Sequence, residues 1–170
     1  MGLFRGQRSS WGSFVLLLAV ALVLLRPWEE IGRDEEPASA WAYVSRVVDG
    51  DTVEVQLDGE EEDVRYIGVD TPETVKPDTP VQCFGPQASD FNHRLVDHRR
   101  VRLVFGVERR DVYGRLLAYV YLDGRFVNAE LVRRGLARTL TIPPNDRFAG
   151  SLKRLEIAAA RAGRGLWGAC

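Results

Sequence analysis

The chain has 170 residues, with 23 lysines and arginines against 24 acids and two cysteines. That length admits one domain with a real core plus a short appendage, and excludes a two-domain protein. The near-neutral total hides an asymmetry: Val44 to Asp63 holds eight acids against Arg46 alone, whereas Arg94 to Arg164 is basic, as suits a polyanion or a solvated face.

Arg5 and Arg8 precede an uncharged run, Trp11 to Leu25, closed by Arg26 and Pro27. Its 15 residues fit a signal-peptide core or a short spanning helix, since a full span takes ~20 apolar residues. The nearest small-x-small triplet, Ala38-Ser39-Ala40, lies beyond an acidic, proline-containing spacer, which favours an uncleaved anchor. A basic flank before the run and an acidic flank after it place the N-terminus in the cytoplasm and the domain outside the membrane. A buried core helix is the competing reading. Residues 1–28 are thus read as signal peptide or membrane anchor, 29–41 as an acidic linker and 42–168 as the domain.

From Ala42 the pattern changes to short alternating runs. Tyr43 to Val48, Thr52 to Leu57 and Val64 to Val69 predict a meander of strands, with Asp58-Gly59 as the turn between the second and third. Thr74 to Gln82, with Pro77 and Pro80, has no periodicity and reads as an exposed loop. Ala88, Phe91 and Leu95 trace a helix that tolerates Pro86 near its start. Val101 to Phe105 and Leu116 to Leu122 predict two more strands, joined through Asp111-Val112-Tyr113-Gly114-Arg115. Val127 to Arg134 suits a short helix ended by Gly135, and Phe148, Leu152, Leu155, Ala159 and Ala162 mark one face of a last helix. Five strands with a helix after the third follow the order of an oligonucleotide-binding barrel, an α+β fold here with three helices and a preceding N-terminal hydrophobic helix.

The segment Arg65 to Glu73 (R-Y-I-G-V-D-T-P-E) sets an arginine and two acids in an otherwise apolar stretch, where a charge is costly without a partner, metal or substrate. Asp49 and Asp51 alternate at a strand entrance and can share a side; the same Asp-Gly pairs also form turns. Asp51, Asp70 and the Thr71 carbonyl supply an open oxygen set for a hard cation, calcium before magnesium, and no histidine or thiolate joins them to suggest zinc. Glu73 after Pro72 is placed to activate water; Thr71 and Pro72 equally resemble a helix start, which the prolines downstream would interrupt. Arg65 and Arg115 can meet the charge that builds on phosphorus oxygens during phosphodiester cleavage. Strict alternation would put Arg65 opposite Asp70, so the strand must bend near Gly68. His93 and His98 read as surface residues, and Trp41, Trp167 and Phe148 as packing residues.

Taken in order, V-V-D-G-D-T-V, V-R-Y-I-G-V-D-T-P-E-T, F-G-P-Q-A-S, D-V-Y-G-R-L-L-A-Y-V-Y, D-G-R-F-V-N and L-V-R-R-G-L-A make the chain from about Ala42 to Gly168 resemble the staphylococcal (micrococcal) nuclease, or thermonuclease, family. The resemblance implies a five-stranded oligonucleotide-binding barrel with three helices and a calcium-dependent phosphodiesterase, a monomer acting on DNA and RNA to leave 3′-phosphate ends. Carried over by motif, it implies calcium on Asp51, Asp70 and the Thr71 carbonyl, with Asp49 behind them. Glu73 is implied as general base, Arg65 and Arg115 as the phosphate clamp, and Tyr113 as a donor to a terminal phosphate. One region departs from the family: where tyrosines would stack on a base, the chain reads R-T-L-T-I-P-P-N, with Thr141 and Ile142 near those positions. Stacking is worth ~1–3 kcal/mol per base, so their absence weakens nucleotide binding without removing the reaction. The rival reading is a non-catalytic nucleic-acid-binding or interaction module on the same barrel. An extracytoplasmic domain would permit a disulfide between Cys83 and Cys170; unrelated thiols are the alternative.

Overall fold

Alternation of buried and exposed residues builds the strands. In β1, Ser39–Val47, Ala42, Val44 and Val47 are buried while Trp41, Tyr43 and Arg46 face out. In β2, Thr52–Leu57, Val53 and Val55 are fully buried, as is Val64 of β3, Glu60–Tyr66. The turn between β2 and β3 takes Asp58 and Gly59 at φ 53° and 91°, the two left-handed positions of the tightest hairpin. The structure is a computed structural model describing residues 37–74 and 80–170. The apolar run at 11–25 and most of the expected linker lie outside the described residues, as do 75–79 of the expected loop.

The chain continues through β4 (Gly68–Asp70), α1 (Gly85–Val96), β5 (Arg100–Arg110), β6 (Leu116–Leu122), β7 (Arg125–Phe126), α2 (Val127–Arg133), β8 (Arg138–Leu140), α3 (Ala149–Arg161) and a last helical turn, α4 (Leu166–Ala169). β1 pairs antiparallel with β2 and β5, β2 with β3, and β5 with β6. The barrel closes where β3 runs parallel to β6, with Arg65 opposite Leu117. This is the expected five-stranded oligonucleotide-binding barrel, with three main helices around it. A core of Val44, Val53, Val55, Val64, Leu103 and Val120 fills it, and Val96, Leu131 and Leu152 bring the helices onto it.

Three elements differ from the sequence-based boundaries. β1 begins at Ser39, because Ser39 to Trp41 pair with Val104 to Arg102 of β5; they are strand and not linker. Trp41, expected to pack inside, lies on the outer face with about half its surface exposed. The single strand expected from Val64 to Val69 is two: β3 ends at Tyr66, and β4 turns away to pair with β8. Gly68, at φ 81°, makes that break, and a Cβ there would meet Leu152 Cδ1 at 2.6 Å. The backbone groups freed at the break are paired. Asn128, fully buried on α2, donates from Nδ2 to the Ile67 carbonyl at 2.8 Å and accepts the Val120 N–H at 2.9 Å.

Candidate active site

Asp51 closes the turn between β1 and β2. The turn is held from two sides: Asp49 Oδ1 accepts the Asp51 N–H at 2.9 Å, and the buried Asn92 of α1 donates to the Asp49 carbonyl at 2.9 Å. Tyr66 fixes that amide by donating to Asn92 Oδ1 at 3.1 Å. The Asp51 carboxylate is therefore immobilised, and it is 3% exposed. Its Oδ2 accepts from the Thr71 N–H at 2.7 Å and the Thr71 hydroxyl at 3.0 Å. Its Oδ1 has only longer contacts, from Thr52 Oγ1 and Arg65 Nε, both at 3.3 Å. Burial pushes the Asp51 carboxyl up to about 6 against the pull of the Arg65 guanidinium, and the charge of Asp49 adds to the rise.

Arg65 is the hub. Its Nη1 donates to the carbonyls of Tyr66 and Val69 at 2.9 and 2.8 Å, so the bend at Gly68 is wrapped around the guanidinium. Nη2 reaches Asp70 Oδ1 at 3.1 Å while Nε faces Asp51. The break between β3 and β4 thus resolves the alternation conflict and brings Arg65, Asp51 and Asp70 together. Thr71 and Pro72 start no helix; Thr71 turns both its N–H and its hydroxyl onto Asp51.

Glu73 lies on the same cleft. Its N–H donates to Gln82 Oε1 at 3.0 Å and its carbonyl accepts the Gln82 N–H at 2.9 Å, which ties the two ends of the intervening loop. Glu73 Oε1 accepts the Thr74 N–H at 2.9 Å. In the turn before β6, Asp111 Oδ2 holds Arg115 Nε at 2.7 Å, and its Oδ1 accepts the N–H groups of Tyr113 and Arg115. Tyr113 is almost wholly exposed, with the Arg115 guanidinium 5.4 Å from its ring centre. Asp49, Asp51, Arg65, Asp70, Thr71, Glu73, Tyr113 and Arg115 all line one cleft of about 620 Å³.

Sequence reasoning passed over Arg46, Asp111 and Gln82. Arg46 lines the cleft, paired with Glu54 at 2.5 Å; its signal was being the one cation in an acidic stretch. Asp111 reads as a turn former, and only the fold reveals that it aims Arg115. Gln82 carries no sequence signal, because the loop that brings it to Glu73 has no periodicity. A second hollow of about 300 Å³ shares Arg65, Tyr113 and Arg115 with the cleft and is also lined by Val112, Leu140 and Ile142, with aliphatic side chains at Leu140 and Ile142 in the segment where the family resemblance would put stacking tyrosines. His93 and His98 stand on the surface beside Asp97.

Among the described residues no three of His, Cys, Asp and Glu converge on one point. The donors nevertheless fit a hard cation. Two carboxylates touch one guanidinium, Asp51 Oδ1 holds only its longer contacts, and the exposed Asp70 carboxylate opens to solvent. The available ligand atoms are carboxylate, hydroxyl and carbonyl oxygens with no thiolate or imidazole among them, a set that suits a hard cation such as calcium and not zinc.

Residues 63–169 match the family model described as staphylococcal nuclease homologue. The chain is 42% identical over 161 residues to a thermonuclease of Staphylococcus intermedius, covering 90% of this chain and 95% of that one. It is 44% identical over 124 residues to a thermonuclease of Staphylococcus hyicus, covering 73% of each. To endonuclease YncB of Bacillus subtilis it is 42% identical over 126 residues, covering 73% of this chain and 60% of that one.

Proposed function

The chain belongs to the staphylococcal nuclease family, and from that premise we propose that it is a calcium-dependent nuclease hydrolysing phosphodiester bonds of DNA and RNA to 3′-phosphate products. The nuclease function is supported by relatives named thermonuclease and endonuclease. The observation that carries this reading is Arg65 in contact with both Asp51 and Asp70 on the cleft that Arg115 also lines.

In this reading Asp51, Asp70 and the Thr71 carbonyl hold calcium, with Asp49 keeping Asp51 in place. Calcium, when bound, supplies positive charge against a phosphate oxygen. Arg65 and Arg115 present planar donors to the phosphate as its oxygens gain charge, which lowers the barrier most where water is excluded. Glu73 takes a proton from the attacking water as its oxygen bonds to phosphorus; the bond from phosphorus to the 5′-oxygen breaks, and that oxygen takes a proton from solvent to leave as the 5′-hydroxyl. Tyr113, exposed at the rim, donates to a terminal phosphate. Two carbonyls place Arg65, and Asp111 places Arg115, on the cleft.

A binding module without catalysis is the second reading, and the presence of both arginines, both acids and Glu73 on one cleft disfavours it. Incubating the protein with single-stranded DNA in calcium, and again with chelator, tests the proposal. Cleavage that stops on chelation is expected; binding without cleavage in calcium contradicts it.

We also propose that the domain acts outside the cytoplasm. The Cys83–Cys170 disulfide supports this, since such bonds persist in oxidising compartments. Protease added to intact cells should degrade the domain, and protection would place it inside.

A further inference from the structure

The outer face of β1 and β5 carries aromatic rings where a solvated sheet would carry polar groups. Trp41 is 54% exposed and Tyr43 45%, and both point outward because Ala42 and Val44 take the inward positions. Across the ladder Trp41 stands opposite Arg102 and Tyr43 opposite Arg100, and Arg102 stands opposite Tyr121 of β6. The Arg100 guanidinium lies 5.3 Å from the Trp41 ring centre, and that of Arg102 lies 5.1 Å from the Tyr121 ring centre. Rings and cations therefore interleave over three strands.

This strip leads to the cleft. The irregularity in β1 between Val44 and Arg46 shifts the alternation, so Arg46 joins Trp41 and Tyr43 on the outer face. Arg46 also lines the cleft. From Arg46 to Trp41 the row extends roughly 16 Å at the rise of a strand. Beyond β2, the outer face of β3 exposes Glu61 and Asp63. Like charge on β3 disfavours a polyanion there relative to the arginine-bearing β1–β5 strip.

We propose that this strip binds the single-stranded portion of a nucleic-acid substrate beyond the scissile bond. Bases stack on Trp41 and Tyr43, and phosphates pair with Arg100 and Arg102. The proposal rests on the nuclease reading of the cleft. Its chemistry is that of single-strand binding in general: aromatic faces accept any base, and a lining of arginines follows the backbone. It also supplies, at a different place, the stacking surface missing near Thr141 and Ile142. An apolar protein partner would not call for the arginines that stand opposite these rings.

The test uses the full chain. A fluorescent single-stranded oligonucleotide of about twenty nucleotides, longer than an oligonucleotide-binding barrel covers, is titrated in chelator and followed by anisotropy. Turnover of a dinucleotide is measured in calcium. The Trp41→Ala/Tyr43→Ala variant should weaken oligonucleotide binding about thirtyfold or more, the loss expected for two stacked bases. Its kcat on the dinucleotide should match that of the parent, and Trp41→Phe/Tyr43→Phe should restore binding. Arg100→Gln/Arg102→Gln, which leaves the rings in place, should flatten the salt dependence of binding. Unchanged oligonucleotide affinity in both the alanine and the glutamine variants overturns the proposal. So does a loss confined to binding of anionic lipid vesicles, or to self-association in sedimentation, with oligonucleotide affinity intact. A parent that binds the oligonucleotide through Trp41 and Tyr43 but turns over neither substrate sinks the nuclease reading and leaves the strip standing.

Discussion

Arg65 donates to Asp70 at 3.1 Å although the two are five positions apart on a segment whose alternation would set them on opposite faces. Gly68, in the left-handed region, is what allows it. Gly68→Ala would strain the backbone and push a methyl into Leu152, so it should lower stability by at least about 1 kcal/mol. Cleavage should fall further than stability alone explains, because the guanidinium is aimed by the bent segment. Urea denaturation beside initial cleavage rates, measured well below the unfolding midpoint, checks both.

Asn128 pairs the backbone on either side of the same bend. Asn128→Ala leaves the Ile67 carbonyl and the Val120 N–H unpaired in the core, at about 1–3 kcal/mol for each group. A lower urea midpoint with an unchanged slope is expected. A variant as stable as the parent would mean that water replaces the amide.

The barrel was legible in the sequence because its strands alternate and its turns carry Asp-Gly signals, as at Asp58-Gly59. The break between β3 and β4 was legible only as a conflict between Arg65 and Asp70. Alternation describes one straight strand, and a glycine at positive φ ends it without changing the hydrophobic pattern. The site residues were legible as charges in apolar surroundings. What escaped were side chains whose role is set by the partner they meet: Asp111 on Arg115 within one turn, Gln82 on Glu73 across a loop, and Asn128 on Ile67 across the fold. The exposure of Trp41 escaped for a different reason, since a large ring in a strand usually packs inward, and only the pairing of β1 with β5 shows the face it takes.

The carboxyl of Asp51 is held up at about 6, above its ordinary 3.8, by burial. The folded chain then binds this proton more tightly than the unfolded chain does. The contribution of Asp51 to stability is fully present below its unfolded pKa and is lost as the pH rises through about 6. In chelator, thermal melting should therefore fall as the pH is raised from about 5 to about 7, and Asp51→Asn should flatten that slope. The reverse slope in the parent would contradict the assignment.

Cys83 and Cys170 close a loop spanning 87 positions. Chain-entropy arguments assign a bond over a loop of that length about 4–5 kcal/mol. Cys83→Ser/Cys170→Ser should lower the melting temperature clearly, and a reductant should shift the parent but not the variant. Because Cys83 follows Gln82, which holds Glu73, the variant should also lose cleavage rate while still folded.

The role proposed for Glu73 is to drive hydrolysis at a phosphate held by Arg65 and Arg115. Its most direct test is single-turnover cleavage of single-stranded DNA by Glu73→Gln in saturating calcium, with oligonucleotide affinity measured alongside. A loss of about 10²-fold or more in rate, the usual contribution of a general base, is predicted with affinity and melting temperature near those of the parent. A variant that binds equally well and cuts at the parent rate would contradict it.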